Sequence, residues 1–316
     1  MQTLPRHAGV WIRVMTCVVG ACLSAVAAAQ APMPLQKEGA TVQISEHVYV
    51  IPDFKVGMVP NVGIVVGSRA TLVVDPGMGL KNGQVVLREV QKVSQSLDLY
   101  IVNTHFHPEH TTGEVAFPPS AKVIRAAAQQ QDVDEMGMEF VERFRQRSPE
   151  IADLLKDAKF RPPAEIFETE KVLDLGGVRV RLLRLGPGHT RGDTVAFVEG
   201  DRVLFSGDLA MKDLFPAFAS PQSDSRTWLT SLDQMAVLHA RQLVPAHYEL
   251  TDNSAIDGYR RYLTALQARV AALKQQGTSA EDAATLLMEE FKKQYPTWEQ
   301  PGRIQAAVAT VYKEVP

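Results

Sequence analysis

Between Thr104 and His110 the chain reads Thr-His-Phe-His-Pro-Glu-His, so three imidazoles and a carboxylate fall within six positions. The cluster directly follows an apolar run at Leu99 to Val102 with the character of a β-strand. The backbone turns where a strand ends, and side chains there can converge. Packing alone gives no reason for so many titratable groups at one turn. Imidazole nitrogen and carboxylate oxygen are the donors zinc accepts when thiolate is absent. One turn cannot aim all four at a single ion, so two neighbouring metal sites follow.

Further donors recur at later strand ends: His189 within the turn 186–193, Asp208 in Ser206-Gly207-Asp208, and His247 in Pro245-Ala246-His247. Beyond His7, only His47 and His239 stand outside these motifs, and they read as packed or surface residues. The surrounding pattern starts β-rich, with runs at Val48 to Ile51, Gly63 to Val66 and Thr71 to Leu72-Val73-Val74. A helical period follows over Lys81 to Gln95, with Val85, Val86, Val90 and Val93 on one face. Strands are then expected at 178–185, 194–198, 203–205 and 242–244, with a helix carrying Trp228, Leu229, Leu232 and Met235 among them.

A polar helical insertion is expected at about 126–163, closed by Pro162-Pro163. Its acidic residues Asp132, Asp134, Glu135, Glu139 and Glu142 read as a solvated face. Three amphipathic helices are expected from 253 to 316, with Gly277 ending the first and a capping box of Thr278 and Glu281 starting the second. Trp228 and Trp298 read as core or interface aromatics. Met58 and the stretch Phe215 to Phe218 are equally suited to a cleft wall or to loop packing.

The amino terminus carries Arg6 and Arg13, then an apolar run that closes on Ala27-Ala28-Ala29. That is the layout of a secretory signal peptide over 1–29, and it places the protein in the periplasm or outside the cell. The run is shorter than the roughly 20 residues of a spanning helix, so no stable membrane span is expected after processing. Val19-Gly20-Ala21-Cys22 offers the alternative of a lipoprotein anchored through Cys22. Cys17 and Cys22 are the two cysteines of the chain. The processed protein would therefore have neither disulfides nor thiolate ligands. Acidic residues outnumber basic ones, 36 to 33, before Arg6 and Arg13 are removed, and nucleic acid is not expected as a partner.

The order Asp75, His105 to His110, His189, Asp208, His247 resembles the five-motif pattern of the metallo-β-lactamase superfamily, over roughly Thr41 to Leu250. The resemblance implies an α/β fold, the four-layer αββα sandwich, over 30–252, with a C-terminal helical extension over 253–316. It implies that His105, His107 and His189 hold one metal, that Glu109, His110 and His247 hold a second, and that Asp208 bridges them. Glu109 departs from the family's usual aspartate, which puts occupancy of the second site in question. Asp75 corresponds to the family's structural aspartate, and Thr190 and Asp193 would orient ligands without touching metal.

By the same resemblance, two zinc ions per chain would share a bridging hydroxide that attacks the carbonyl of an ester, lactone, thioester or β-lactam, with Glu109 or Asp208 relaying the proton. Iron, or a single ion, is the alternative metal content. The extension looks like that of exported bacterial members, including those linked with quinoprotein relay systems. It would pack on the sandwich or join two copies into a homo-oligomer. Two other functions stay open: a mononuclear iron enzyme oxidising sulfur, like the persulfide dioxygenases, and a non-catalytic exported metal-binding accessory protein. The first predicts a small-molecule substrate and oxygen consumption, the second metal without turnover.

Overall fold

Runs of β-branched residues buried on both faces build the centre of the molecule. The computed structural model describes residues 1–3, 33–96 and 98–316. The expected signal segment, with Arg6, Arg13, Cys17, Cys22 and the three alanines, lies outside the described residues except for its first three positions. Residues Met33–Pro316 form one unit.

The first sheet runs in chain order across its width: β1 (Val42–Gln43), β2 (Val48–Ile51), β3 (Val62–Val66), β4 (Thr71–Val74), β5 (Leu99–Val102), β6 (Lys122–Ala126) and β7 (Glu165–Phe167). Its first four strands form an antiparallel meander, and β4 to β7 are parallel. The second sheet holds β8 (Glu170–Asp174), β9 (Arg179–Arg184), β10 (Thr194–Val198), β11 (Val203–Gly207) and β12 (Gln242–Pro245). Only its β11–β12 pair is parallel. Every residue of β4, β10 and β11 is buried, which is why these strands read as continuous apolar runs without alternation.

Three cores separate four layers. Between the sheets, Val65, Leu72 and Val74 meet Leu182, Val198 and Phe205. Outside the first sheet, helix α1 (Gly79–Val93) lays Val86 and Val90 on Ile64 and Val73. Outside the second, a cluster with Leu204 and Leu243 includes Trp228 and Leu232, which sit on the helix Ser225–Ala236. Gly63 is required by the close approach of the sheets, because a β-carbon there would lie 2.2 Å from the Phe205 ring. The fold is therefore the expected αββα sandwich.

The remaining helices are α2 (Pro108–Thr111), α3 (Ala127–Asp132), α4 (Met138–Arg145), α5 (Pro149–Leu154), α6 (Ser225–Ala236), α7 (Ser254–Gln275), α8 (Ala280–Gln294) and α9 (Arg303–Glu314). A π-turn at Val133–Gly137 joins α3 to α4. The insertion is less polar than its sequence suggested: Phe140, Val141 and Phe144 pack with Met78 and Phe106 beneath it. Nor do its acids share one solvated face, because Asp132 is fully buried, accepts the Gly192 amide at 3.1 Å and faces Arg191.

Helices α7 to α9 pack on the outer face of the second sheet, joining Tyr259, Leu263, Phe291, Ile304 and Val308 to the core around Trp228. Gly277 adopts φ +79 just past α7, where a left-handed residue ends a helix. The next helix is capped one residue later than its sequence suggested, since Ser279 accepts the Asp282 amide at 3.1 Å. Among the described residues no helix is long and apolar enough to cross a membrane.

Candidate metal centre

The parallel pairings bring the chemistry to one edge of the sandwich. β4 and β5 end side by side at Val74 and Val102, which sets Asp75 against Thr104 and the histidine cluster. β11 and β12 end side by side at Gly207 and Pro245, which sets Asp208 beside His247. The turn from β9 to β10 carries His189. The sheets are stitched at this edge by the Thr194 amide donating to the Thr104 carbonyl at 2.7 Å.

Three donor groups emerge: His105, His107 and His189; Glu109, His110 and His247; and, between them, His105, His110 and Asp208. Within each, one ligand atom per residue lies within 4.8 Å of the others. All seven residues proposed from the sequence therefore converge. His105 Nε2 is 3.0 Å from His107 Nδ1, which is 3.3 Å from His189 Nε2. Zinc–nitrogen bonds of about 2.0–2.1 Å at tetrahedral angles place ligand atoms about 3.3 Å apart. Burial and the neighbouring His110, His107 and His189 push His105 well below the usual imidazole range, and burial with His189, His110 and two arginines does the same for His107. Both are neutral, as metal ligands must be.

The outward nitrogens fix which atom faces inward. His189 Nδ1 lies 2.6 Å from the Ala217 carbonyl and His247 Nδ1 lies 2.9 Å from that of Val59. A carbonyl only accepts, so each Nδ1 carries a proton and each Nε2 is the atom left to face the donor group. His110 Nδ1 donates to Asp75 Oδ2 at 3.1 Å. Burial opposes a charge on His110, but Asp75, Glu109 and Asp208 raise it to about 9. A metal at its Nε2 would displace that proton.

Asp75 also accepts the Thr104 amide and hydroxyl, each at 2.7 Å, and its backbone stands at φ +56. Asp193 accepts the amide and hydroxyl of Thr190, which tightens the turn carrying His189. Neither acid is in a donor group. The atoms left without a hydrogen-bond partner include Glu109 Oε2, His110 Nε2 and Asp208 Oδ1, all buried. Orphaned buried donors and acceptors are costly. A bound cation would satisfy these three, so the residues present fit a metal. The longer glutamate side chain is accommodated, since Glu109 Oε1 comes within 3.8 Å of His110 Nε2.

The centre opens into a cavity of about 360 Å³. Glu109, Asp208 and His247 meet it on one side, and Met58, Phe140, Phe144 and Phe218 supply apolar wall. Phe140 stacks on His107 with ring centroids 4.9 Å apart. Met58, Ala217 and Phe218 thus belong to the cleft, whereas Phe215 is packed in the core. Sequence reasoning missed Phe140, Arg143, Arg147 and Arg303, which reach the cavity from the insertion and from α9 with no local signal. His47 pairs with Asp201 at 2.9 Å, and neither it nor His239 joins a donor group. Trp228 is fully buried and donates to the Leu209 carbonyl at 2.9 Å.

A family model described as the metallo-beta-lactamase superfamily matches residues 57–247. A linear primary-alkylsulfatase from Pseudomonas sp. (strain ATCC 19151) is 25% identical over 206 residues, covering 56% of this chain and 39% of that protein. The chain thus spans well under half of that relative's length. An acyl-coenzyme A thioesterase, MBLAC2 from Gallus gallus, is 26% identical over 203 residues, covering 60% of this chain and 73% of that protein. Among solved structures, the stereoselective inverting sec-alkylsulfatase Pisa1 from Pseudomonas sp. superposes with a TM-score of 0.66 at 13% identity, over 87% of this chain and 50% of that one.

Proposed function

Because this chain belongs to the metallo-beta-lactamase superfamily, we propose that it is a metal-dependent hydrolase that cleaves an ester-type bond at a two-zinc centre. The observation that carries the reading is the buried, mutually oriented donor set opening on a cavity. His105, His107 and His189 would hold one ion, Glu109, His110 and His247 the other, with Asp208 between them. Bound metal would supply an acidified water and polarise the bond under attack. Asp208 stays charged: burial raises its carboxyl, but His247, His189, His110 and Arg303 hold it below the usual range. Whichever of Asp208 and Glu109 keeps an oxygen off the metal would take the proton from the water. Phe140, flat against His107, keeps solvent from that ligand.

The related proteins named for thioester and sulfate-ester hydrolysis make carboxylic esters, thioesters and sulfate esters the first substrates to test, followed by lactones and β-lactams. Metal content and hydrolysis are to be measured on the same samples, for wild type and Glu109→Asp, before and after chelation. The expected result is a two-zinc protein whose hydrolysis is lost on chelation and restored by zinc. Bound metal with no turnover on any substrate would favour the accessory-protein reading. A single iron with oxygen consumption would favour the sulfur-oxidising one.

A further inference from the structure

We propose that Arg303, carried in by the C-terminal extension, grips an oxyanion group on the substrate, and that the substrate is an amphiphile with this anion at one end. This assignment deepens the hydrolase reading and rests on it. Arg303 is the first residue of α9, far in sequence from every ligand, yet it lines the same cavity as Asp208 and His247. Its Nη1 donates to the Phe215 carbonyl at 3.0 Å, and it makes no ion pair among the described residues. Arg303 is half-buried as a residue, so an anion meeting it is screened less than at a fully exposed arginine.

The backbone around it is held firmly. The Glu299 amide donates to the Asp213 carbonyl at 2.8 Å, and the Phe215 amide donates back to Glu299 at 3.3 Å. The Tyr248 hydroxyl, next to ligand His247, donates to Glu299 Oε2 at 2.8 Å. One seam therefore fixes the start of α9 to the loop after Asp208 and to the residue after His247. The loop also supplies the Ala217 carbonyl that orients His189.

Inside the cavity Asp208 feels the charge of Arg303 without pairing with it, and the remaining charges are engaged elsewhere. Asp53 is occupied by the Lys55 and Tyr248 amides, and Glu109 and Asp208 face the donor set. Lys55 lies 3.4 Å from Glu249, while Arg143 and Arg147 are exposed and lie over the rings of Phe140 and Phe144. The apolar wall of Met58, Phe140, Phe144 and Phe218 suits a hydrocarbon portion. A planar guanidinium with free N–H groups suits carboxylate, sulfate or phosphate oxygens.

The test uses the zinc-loaded full chain and two p-nitrophenyl esters of equal length, one ending in a carboxylate (the adipate monoester) and one in a methyl (the hexanoate). Wild type is expected to favour the carboxylate ester in kcat/KM. Arg303→Met should cut that preference about tenfold, chiefly through KM, as for loss of one charge-assisted contact. Arg303→Lys, which keeps the charge, should restore most of it. Calorimetric binding of decanoate reads the same contact without turnover, and a tenfold or so weaker Kd in Arg303→Met is expected on the same grounds. The assignment is overturned if wild type shows no preference, if both esters suffer equally, or if Arg143→Met or Arg147→Met erases the preference as fully. If neither ester is hydrolysed but decanoate binding still depends on Arg303, carboxylic-ester hydrolysis fails and the anion site stands.

Discussion

Replacing Asp75 by asparagine separates the role of one carboxylate from the shape of its loop. Aspartate and asparagine both tolerate the left-handed backbone found here, φ +56, so the turn survives the change. The carboxylate accepts three hydrogen bonds, two from Thr104 and one from His110 Nδ1. An amide keeps one oxygen, enough for the Thr104 amide, and turns an N–H toward the imidazole. His110 then gains from an unprotonated Nδ1, which moves its proton to Nε2, the atom that faces the donor group. The Thr104 hydroxyl can turn to accept from the new amide, but the bond from His110 to a charged group is lost, about 1.5–3 kcal/mol, or roughly 10- to 100-fold in affinity for the metal His110 would hold. The metal on His105, His107 and His189 should be weakened much less. Competition with a chromophoric zinc chelator resolves the two sites, and circular dichroism checks the fold. A folded Asp75→Asn protein that binds both metals like wild type would refute the reasoning.

Two further outcomes probe the scaffold. Gly63→Ala forces a β-carbon to 2.2 Å from Phe205 between the sheets. Overpacking of this kind costs about 1–3 kcal/mol, a fall in Tm of roughly 2–10 °C, and an unchanged Tm would mean the sheets are not packed this closely. Burial pushes the Asp132 carboxyl from 3.8 up to about 7, against the pull of Arg191 and the Gly192 amide. A raised carboxyl favours the protonated folded state, so its contribution is complete below 3.8 and is lost as pH climbs through about 7. Asp132→Asn should flatten the decline of Tm across that window, and an unaltered slope contradicts the assignment.

The central strands were legible because burial on both faces writes them as unbroken apolar runs, as in Val73-Val74 and Val195 to Val198. The donor residues were legible because each sits at a strand end in a short motif. β6 was missed since it contains Arg125, a fully buried cation whose partner Glu114, 3.1 Å away, is set by tertiary packing. β8 was missed because Glu170 to Asp174 is a mostly exposed edge strand with little apolar signal. The buried Asp132 carries no mark in a run of exposed acids, since its neighbour Arg191 arrives from another motif. The cavity wall is harder still: Phe140 and Arg303 are ordinary helical residues whose position depends on how two distant segments dock.

The split origin of the donors has a thermodynamic consequence. His105 to His110 hang from the first sheet, whereas His189, Asp208 and His247 hang from the second. A metal shared between these sets acts as a clasp across the sandwich, so the sheets cannot part at that edge without releasing it. Its binding energy then adds directly to the resistance of the two halves to separation, and it grows with the logarithm of free metal. Amides buried between the sheets, including that of Thr194, should exchange with solvent more slowly as free zinc rises, while the exposed edge strand β8 should hardly respond.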